Sequence, residues 1–134
     1  HAAASLGVAE AAAGAVRGRG SDARAFVLAA ENAIDLAATR SIVARAATLV
    51  DDAEADIVSL FAEAQAAKTF ANEAAVRVAD RALALSGGAG YSASSPLSRH
   101  YRDARAGAFM HPLGANRAYE FLGQLMLGRE PRIT

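Results

Sequence analysis

The sequence predicts an all-α protein, an up-down antiparallel four-helix bundle with a short extra C-terminal helix. Hydrophobic residues make up 53% of its 134 residues, aromatic residues only 6%, and most of the apolar share is alanine. Alanine has the highest intrinsic helix propensity and allows helices to pack closely. Runs of β-branched residues that alternate with polar ones, which would indicate strands, are absent from the sequence. Long helical segments with short connections favour an antiparallel bundle in a single domain over residues 1–134.

Composition and charge narrow the classes of function. The formal net charge is zero, so no basic field supports nucleic-acid binding. The sequence has no cysteine, which excludes disulfides and cysteine-based zinc sites, and its three histidines lack metal-ligand spacing. No apolar run approaches the roughly 18 residues of a membrane span, and no signal peptide is visible. We therefore expect a cytoplasmic protein that binds no metal, nucleic acid or membrane.

A glycine-rich break separates the first two predicted helices. The first helix covers about residues 2–17, and Gly7 and Gly14 share one of its faces. Because glycine in a helix costs about 1 kcal/mol against alanine, these glycines predict close approach of a neighbouring helix. Ser21 is the expected N-cap of the second helix, which runs to about residue 50 and carries two apolar stripes that predict burial on two sides. The stripes are Val27, Ala30, Ile34, Ala37, Ser41, Ala44 and Thr48, and Phe26, Ala29, Ala33, Leu36, Val43, Ala47 and Val50.

The third helix is predicted over about residues 55–86 and at the centre of the bundle. Its apolar stripe repeats close to every 3.5 residues, as in helix bundles and coiled coils. The stripe comprises Ile57, Leu60, Phe61, Ala64, Ala67, Ala71, Ala74, Val78, Ala82 and Leu85. Glu73, Arg77 and Asp80 have the spacing for ion pairs along the polar face of this helix. The glycine pair 87–88 is the expected end of the helix.

Two shorter helices follow the third. Ser95 as N-cap and Pro96 at the first position start a helix that runs to about Arg105. Gly107 interrupts the pattern, and a final helix covers about residues 116–127. The apolar set of this last helix is Tyr119, Leu122, Leu125 and Met126.

Three segments are candidate sites, although each also has an ordinary structural interpretation. The glycines of the stretch 87–90 would let a backbone approach a ligand closely, while a helix C-cap and turn also account for them. Arg99, Arg102 and Asp103 are expected to form ion pairs on a solvated helix face. His111 lies beside a proline in an irregular segment, so it is either a base with an unperturbed pKa of about 6.5 or a turn residue.

Together these segments resemble a known family. The run Gly87-Gly88-Ala89-Gly90-Tyr91 is followed by Pro96-Leu97-Ser98-Arg99 and then by Arg102-Asp103-Ala104. In order and spacing they resemble the Gly-Gly-x-Gly-Tyr turn, Pro-x-x-Arg step and Arg-Asp-Ala helix of the acyl-CoA dehydrogenase superfamily. The stretches 5–12 and 40–47 are similar to the first two helices of the same C-terminal all-α domain. The resemblance therefore covers nearly the whole chain.

The resemblance implies that the chain is a fragment, the C-terminal domain of a larger flavoenzyme without its N-terminal α and middle β domains. The start at His1 within a helical pattern fits this expectation. In the family, FAD lies between the β domain and this bundle, and the glycine turn approaches it from a neighbouring subunit. The resemblance thus assigns cofactor binding to Gly87, Gly88, Ala89 and Gly90. It also implies a homodimer or homotetramer that desaturates an acyl-CoA thioester in lipid metabolism, and a fragment that neither binds FAD tightly nor catalyses by itself.

Two departures from the family pattern concern the catalytic base and the cofactor. Many members carry a catalytic glutamate in a Glu-Gly-Thr triplet nine residues after the arginine of Arg-Asp-Ala. The same count from Arg102 reaches His111, within the sequence His-Pro-Leu, so the resemblance places His111 at the position of the base. Glu10 or an upstream residue is the other candidate. The family's Arg-x-x-Phe-Gly motif and following glutamine, which hold the FAD pyrophosphate, are not recognisable around residues 17–30.

Three functions are compatible with this pattern. The prediction is α,β-dehydrogenation of an acyl-CoA thioester with FAD, because the glycine turn and Arg-Asp-Ala match that branch. The first alternative is a flavin-dependent monooxygenase of the same fold, which uses reduced flavin and oxygen and often has a histidine close to the place of His111. The second is a non-catalytic helical oligomerisation module, which the missing pyrophosphate motif would allow.

Overall fold

The computed structural model describes residues 1–52, 54–110 and 112–131 of the chain. Its α-helices in these ranges are α1 (Ala2–Gly14), α2 (Ala23–Val50), α3 (Ile57–Ser86), α4 (Gly88–Tyr91), α5 (Pro96–Ala106) and α6 (Ala115–Met126). A 3-10 turn, Gly107–Phe109, follows α5, and the described residues contain no strand. The all-α prediction is confirmed. None of the described helices combines the length and the apolar character that crossing a bilayer requires.

Helix α3 is the centre of the bundle, because α1, α2 and α5 all pack against it. Helix α1 also contacts α2 and α5, so these four helices form the bundle, and α6 packs against α3 beside it. Five residues of the predicted central stripe are fully buried: Ala67, Ala71, Ala74, Val78 and Ala82. Small side chains on this face let the neighbouring helices lie close to the α3 backbone. The four-helix bundle with an extra C-terminal helix is thereby confirmed, although Ile57 at the start of the stripe is exposed.

The glycines of α1 do not mark a contact between helices. A Cβ atom added to Gly7 or Gly14 would meet nothing within 4 Å, and both residues are exposed. The buried residues of α1 are Ser5, Ala9 and Ala12, on the face that contacts the rest of the bundle. The predicted close approach at these glycines is therefore wrong within this chain, because its helices pack on the other face of α1.

Helix α2 buries one face rather than two. Its buried residues are Ala25, Asn32, Leu36 and Thr39. The apolar stripes predicted from the sequence are largely exposed, with Phe26, Val27 and Ile34 all more than half accessible. Burial on two sides is therefore wrong within this chain, because α1 and α3 cover only one side of α2. The N-cap is Asp22 rather than Ser21, and its carboxylate accepts a hydrogen bond of 2.8 Å from the backbone N–H three residues on.

The C-terminal end of α3 and the start of α5 follow the predicted local signals, while α3 begins at Ile57 after an N-cap that was not predicted. Asp56 caps α3 by accepting hydrogen bonds from the backbone N–H groups two and three residues on. Gly87 ends α3 with φ +65°, and its N–H donates to the carbonyl oxygen of Leu83 at 3.1 Å. Ser95 caps α5 with Pro96 in the first turn, as predicted. The predicted features are confirmed because they depend on neighbouring residues alone.

Helix α6 packs on the first half of α3 through an aromatic pair. The rings of Phe61 and Phe121 meet edge to face with centroids 5.1 Å apart, a geometry that the ring quadrupoles favour. Two of the four residues predicted for the apolar face, both leucines, pack in this cluster. The other two, Tyr119 and Met126, are 51% and 89% exposed, so the predicted face was wrong in part. The buried face is centred on Phe121.

A charged network joins α2 to α3. Asp35 accepts hydrogen bonds from Arg77 and Arg81, with N···O distances of 2.7 and 2.6 Å. Arg81 also pairs with Glu31 at 2.8 Å. The hydrogen bond from Arg77 lowers the pKa of Asp35, whose side chain is only 14% exposed. The predicted pairing of Arg77 along its own helix is therefore wrong, because the half-buried Asp35 of the neighbouring helix binds it instead.

Replacement of Asp35 by asparagine should destabilise the fold and remove part of its pH dependence. Because the folded-state pKa of Asp35 lies below the ordinary value of 3.8, its contribution is complete above that value and is lost as the pH falls through the folded-state pKa. Asp35→Asn removes the carboxylate that two arginines bind, so we expect a loss of roughly 1–3 kcal/mol in the free energy of unfolding at pH 7. The difference from the wild type should shrink below about pH 4.

Urea unfolding followed by circular dichroism at several pH values tests this expectation. Asp103→Asn, at an exposed pair, is the matched control and should change the free energy by less than about 0.5 kcal/mol. An Asp35→Asn variant as stable as the wild type at pH 7 would contradict the role of this network.

Candidate functional site

The candidate site is the loop between α5 and α6, residues 107–114, because the resemblance places His111 there. His111 lies outside the residues that the structure describes, so its predicted role as a base stays a prediction. The described residues of the loop include its first turn, Gly107–Phe109, and the residues that flank position 111. Their contacts define how the loop is held on the bundle.

A buried lysine binds the middle and the end of the loop. Lys68 of α3 is 5% exposed, and its Nζ donates hydrogen bonds of 2.5 Å to the backbone carbonyl oxygens of Met110 and Leu113. Among the described residues, no carboxylate forms an ion pair with this ammonium group. Burial lowers the pKa of Lys68. Two carbonyl dipoles therefore compensate the buried charge in place of a counter-ion.

Asn72, one helical turn further along α3, binds the start of the loop. Its Nδ2 donates to the carbonyl oxygen of Gly107 at 2.7 Å, and its Oδ1 accepts a hydrogen bond of 2.6 Å from the hydroxyl of Ser5 on α1. A Cβ atom on Gly107 would lie 2.7 Å from the Asn72 side chain, so only glycine fits without a shift. Lys68 and Asn72 thus fasten the loop to α3 at both ends.

The sequence analysis did not identify Lys68 and Asn72 as site residues, although the sequence contains a sign of their role. Lys68 is the only lysine of the chain, and the other basic side chains are arginines. Lys68 and Asn72 are four residues apart and lie beside the alanines of the central stripe. Periodicity treats such polar residues as part of a solvated face, whereas Lys68 and Asn72 are buried and hydrogen-bonded in the structure.

A cleft of about 370 Å³ opens beside the loop, between α3 and α5. Apolar side chains form much of its wall, and its lining also includes Lys68, Glu73, Arg77 and Arg105. The hydroxyl of Tyr119 on α6 donates a hydrogen bond to Glu73, and this bond raises the pKa of Tyr119. The volume is at the lower end of the range for small-molecule sites.

The glycine turn after α3 presents exposed backbone at residues 87–89. A Cβ atom added to Gly87 or Gly88 would meet nothing within 4 Å, so the outer side of the turn is open to another molecule. Gly90 differs, because it is buried and a Cβ atom there would lie 2.7 Å from the Ser86 side chain. Packing against Ser86 thus accounts for Gly90, while cofactor contact at Gly87, Gly88 and Ala89 stays a prediction.

The glycine turn follows the C-terminal end of the central helix, whereas the loop is bound near the middle of that helix. Lys68, which binds the loop, and Gly87, which ends α3, are 19 residues apart on that helix. At a rise of 1.5 Å per residue this separation is about 28 Å. The structure therefore does not bring Gly87–Ala89 and the His111 loop into one small site within a single chain.

The predicted charged pairs are surface interactions. Arg99 and Asp103 of α5 approach to 3.9 Å with both side chains more than half exposed, as expected for a weak i,i+4 pair. Arg102 donates a hydrogen bond of 2.8 Å to the hydroxyl of Ser98 rather than pairing with an acid. Their role stays structural and local to α5.

Glu10, the alternative base, is part of an interhelical ion pair. Arg40 of α2 approaches its carboxylate to 2.7 Å. The same residues line a groove of about 730 Å³ beside the loop between α1 and α2. Arg17 and Arg19 line this groove too, and the glycines that follow them, Gly18 and Gly20, have φ of +75° and +79°. The groove is therefore cationic, a feature suited to a phosphate group.

Alanine substitutions should distinguish the two kinds of glycine in the turn. Gly90→Ala places a methyl group against Ser86, so we expect it to lower the free energy of unfolding by roughly 1–3 kcal/mol. Gly88→Ala places the same methyl group in open space and should change stability by less than about 0.5 kcal/mol. Thermal and urea unfolding of the two variants in parallel checks this, and equal destabilisation by both would refute the assignment of Gly90 to packing.

Comparison with known proteins gives three findings. Residues 1–117 match the family described as acyl-CoA dehydrogenase, C-terminal domain. The chain is 40% identical over 112 residues to the amino sugar nitrososynthase DnmZ of Streptomyces peucetius, covering 81% of this chain and 26% of DnmZ. It is 41% identical over 76 residues to the human mitochondrial short-chain specific acyl-CoA dehydrogenase, covering 57% of this chain and 18% of that enzyme.

A solved structure has the same fold. The X-ray structure of KijD3 in complex with FMN and dTDP-3-amino-2,3,6-trideoxy-4-keto-3-methyl-D-glucose superposes with a TM-score of 0.86 at 33% sequence identity. The superposition covers 97% of this chain and 35% of the KijD3 chain. The chain thus spans about a quarter of the length of DnmZ and about a third of that of KijD3.

Proposed function

Since the chain belongs to the acyl-CoA dehydrogenase family, we propose that it forms the C-terminal domain of a longer flavin-dependent oxidoreductase. The N-terminal α and middle β domains of the family would precede it. The full-length protein oxidises the amino group of a nucleotide-linked amino sugar with molecular oxygen, which is the monooxygenase alternative rather than dehydrogenation. The chain contributes the loop 107–114, the glycine turn and subunit contacts.

The extent of the similarity supports this substrate class. The alignment with DnmZ covers 81% of the chain, against 57% for the human short-chain dehydrogenase. KijD3, with a dTDP-linked amino sugar bound, superposes on 97% of the chain. Acyl-CoA dehydrogenation is the second candidate. It is favoured by the 41% identity with the human enzyme, by the glycine turn and by the Arg-Asp-Ala sequence.

The candidate bases leave His111 as the proton acceptor. The segment 106–116 contains no aspartate or glutamate, and the other candidate, Glu10, is engaged by Arg40. An amine nitrogen reacts in its neutral form, and an imidazole is able to accept its proton, as it is able to accept an acyl-CoA α proton. We assign this role to His111, and the substrate class is argued from the similarity to the nitrososynthases.

The described residues fit a flavin at two places. The open turn Gly87–Ala89 accommodates close approach of a ring or phosphate without steric conflict. Arg17 and Arg19 line a cationic groove that suits a phosphate group. When bound, the flavin supplies the reaction with oxygen. FMN, which has one phosphate, accounts for the missing pyrophosphate motif better than FAD does, so we propose FMN in place of the FAD that the sequence predicted.

Subunit association follows from the same geometry. The glycine turn is about 22 to 28 Å along α3 from the residues that bind the loop, so a flavin site that uses both is better formed by the turn of one chain and the loop of another. The exposed apolar side chains of α2 at positions 26, 27 and 34 offer a surface for this contact. We propose a homodimer or homotetramer in which these surfaces meet.

A charge on the exposed face of α2 should weaken association. Ile34 is 68% exposed, so Ile34→Asp leaves the folded chain intact but places a charge in the proposed contact. We expect a lower association state for the full-length variant in sedimentation velocity, with Ala93→Asp, on an exposed turn, as the matched control. A strict monomer for the wild type at high concentration would disprove the shared site.

Turnover assays of the full-length protein separate the two reactions. With FMN, a flavin reductase and a dTDP-linked amino sugar, product should form only when oxygen is present. Anaerobic turnover of a short acyl-CoA with an artificial electron acceptor would instead establish dehydrogenation. His111→Ala should lower kcat/KM by roughly a hundredfold. Unchanged turnover in that variant would remove His111 from the site.

A further inference from the structure

We infer that Lys68 is a positioning residue for the reaction, because it sets the conformation of the loop between α5 and α6 through residues 110 and 113. Its effect on turnover rests on the proposed function, while its effect on the loop does not. Lys68 acts with Asn72, which holds the start of the same loop.

The geometry of the two carbonyl groups carries the inference. The carbonyl oxygens of Met110 and Leu113 belong to residues three apart, and both lie 2.5 Å from one Nζ atom. A chain segment with two such carbonyls on one cation must turn around it. The ammonium group therefore fixes the backbone at residues 110 and 113, on either side of position 111 in the sequence.

The bonds from α3 act together with apolar packing at the end of the loop. The N–H of Met110 donates to the carbonyl oxygen of Gly107 at 3.3 Å, within the 3-10 turn. Leu113 is buried and packs with Ala118 and Phe121 of α6. Among the described contacts, the hydrogen bonds of Lys68 and Asn72 are the polar links between the loop and α3.

The presence of a lysine at position 68 also supports a positioning role. The neighbouring residues on this face, Ala67 and Ala71, are almost fully buried, and an apolar side chain at position 68 would pack there without the cost of a buried charge. The hydrogen bonds from the ammonium group to two carbonyl oxygens explain why a lysine occupies position 68. An ammonium group reaches both oxygens from one point, whereas the planar guanidinium used elsewhere in the chain is larger and forked.

Hydrogen exchange of the full-length protein, followed by mass spectrometry of peptides, tests the inference. Lys68→Met keeps an unbranched stem but removes the charge and all three N–H donors. We expect the amides of residues 107–114 to exchange at least tenfold faster, while peptides of α1 and α2 stay unchanged. Arg45→Met is the control, because it removes an exposed cation from the pair with Glu63 on the same bundle.

Lys68→Gln and Asn72→Leu are two further variants for the exchange experiment. Lys68→Gln retains N–H donors on a shorter stem and serves if the methionine variant does not fold, with the same local increase expected. Asn72→Leu frees only the start of the loop, so exchange should rise at residues 107–110 more than at 112–114. Wild-type exchange across the loop in the position-68 variant that folds would overturn the inference.

Kinetics distinguish positioning from a purely structural role. If Lys68 positions the loop, kcat of its folded, flavin-loaded variants should fall at least tenfold with KM within about twofold of the wild type. The double variant with His111→Ala should then be little slower than His111→Ala alone, since both changes act on one position. Faster loop exchange with unchanged kcat would limit Lys68 to stability and overturn the positioning role. A wild type inactive on amino sugars would refute the proposed function alone, because exchange is measured without substrate.

Discussion

The alanine-lined face of α3 is the constraint on which the rest of the structure depends. Small side chains let α1, α2 and α5 pack closely around this one helix. A helix packed in this way also buries polar residues on its flanks, and most such groups form hydrogen bonds, with Gln65 Oε1 an exception on α3. Lys68 and Asn72 find their partners in the backbone of the loop before α6 and in Ser5 of α1. The packing around α3 therefore also determines which polar side chains hold the loop of the candidate site.

Local signals in the sequence predicted what depends on neighbouring residues. The end of α3 at Gly87, the start of α5 at Ser95 and the central place of α3 were all predicted and are confirmed. The exposed sides of α1 and α2 were not. Periodicity detects an apolar face, but it does not tell whether that face meets the same chain or another body. Gly7, Gly14 and the outer stripe of α2 are exposed in this chain, which the pattern alone did not predict.

The candidate site was predicted only in part, for a related reason. Its position came from the resemblance, through the count from Arg102 to His111. The contacts that shape it came from the structure, because pairing between Lys68 and a backbone 42 residues away leaves no periodic pattern. The resemblance implied that the glycine turn approaches the flavin of a neighbouring subunit, whereas the distance between the turn and the loop came from the structure. That separation makes a site shared between subunits the natural arrangement for the proposed flavin enzyme.

The central claim is that the full-length protein transfers oxygen to the nitrogen of a nucleotide-linked amino sugar. Mass spectrometry of the product formed under isotopically heavy oxygen gas tests it most directly. We expect heavy oxygen at the former amino group of the product, and the amount incorporated should rise with the amount of reduced flavin supplied. Formation of an unsaturated acyl-CoA from a saturated one, without any heavy oxygen in the product, would contradict this claim and identify the reaction as dehydrogenation.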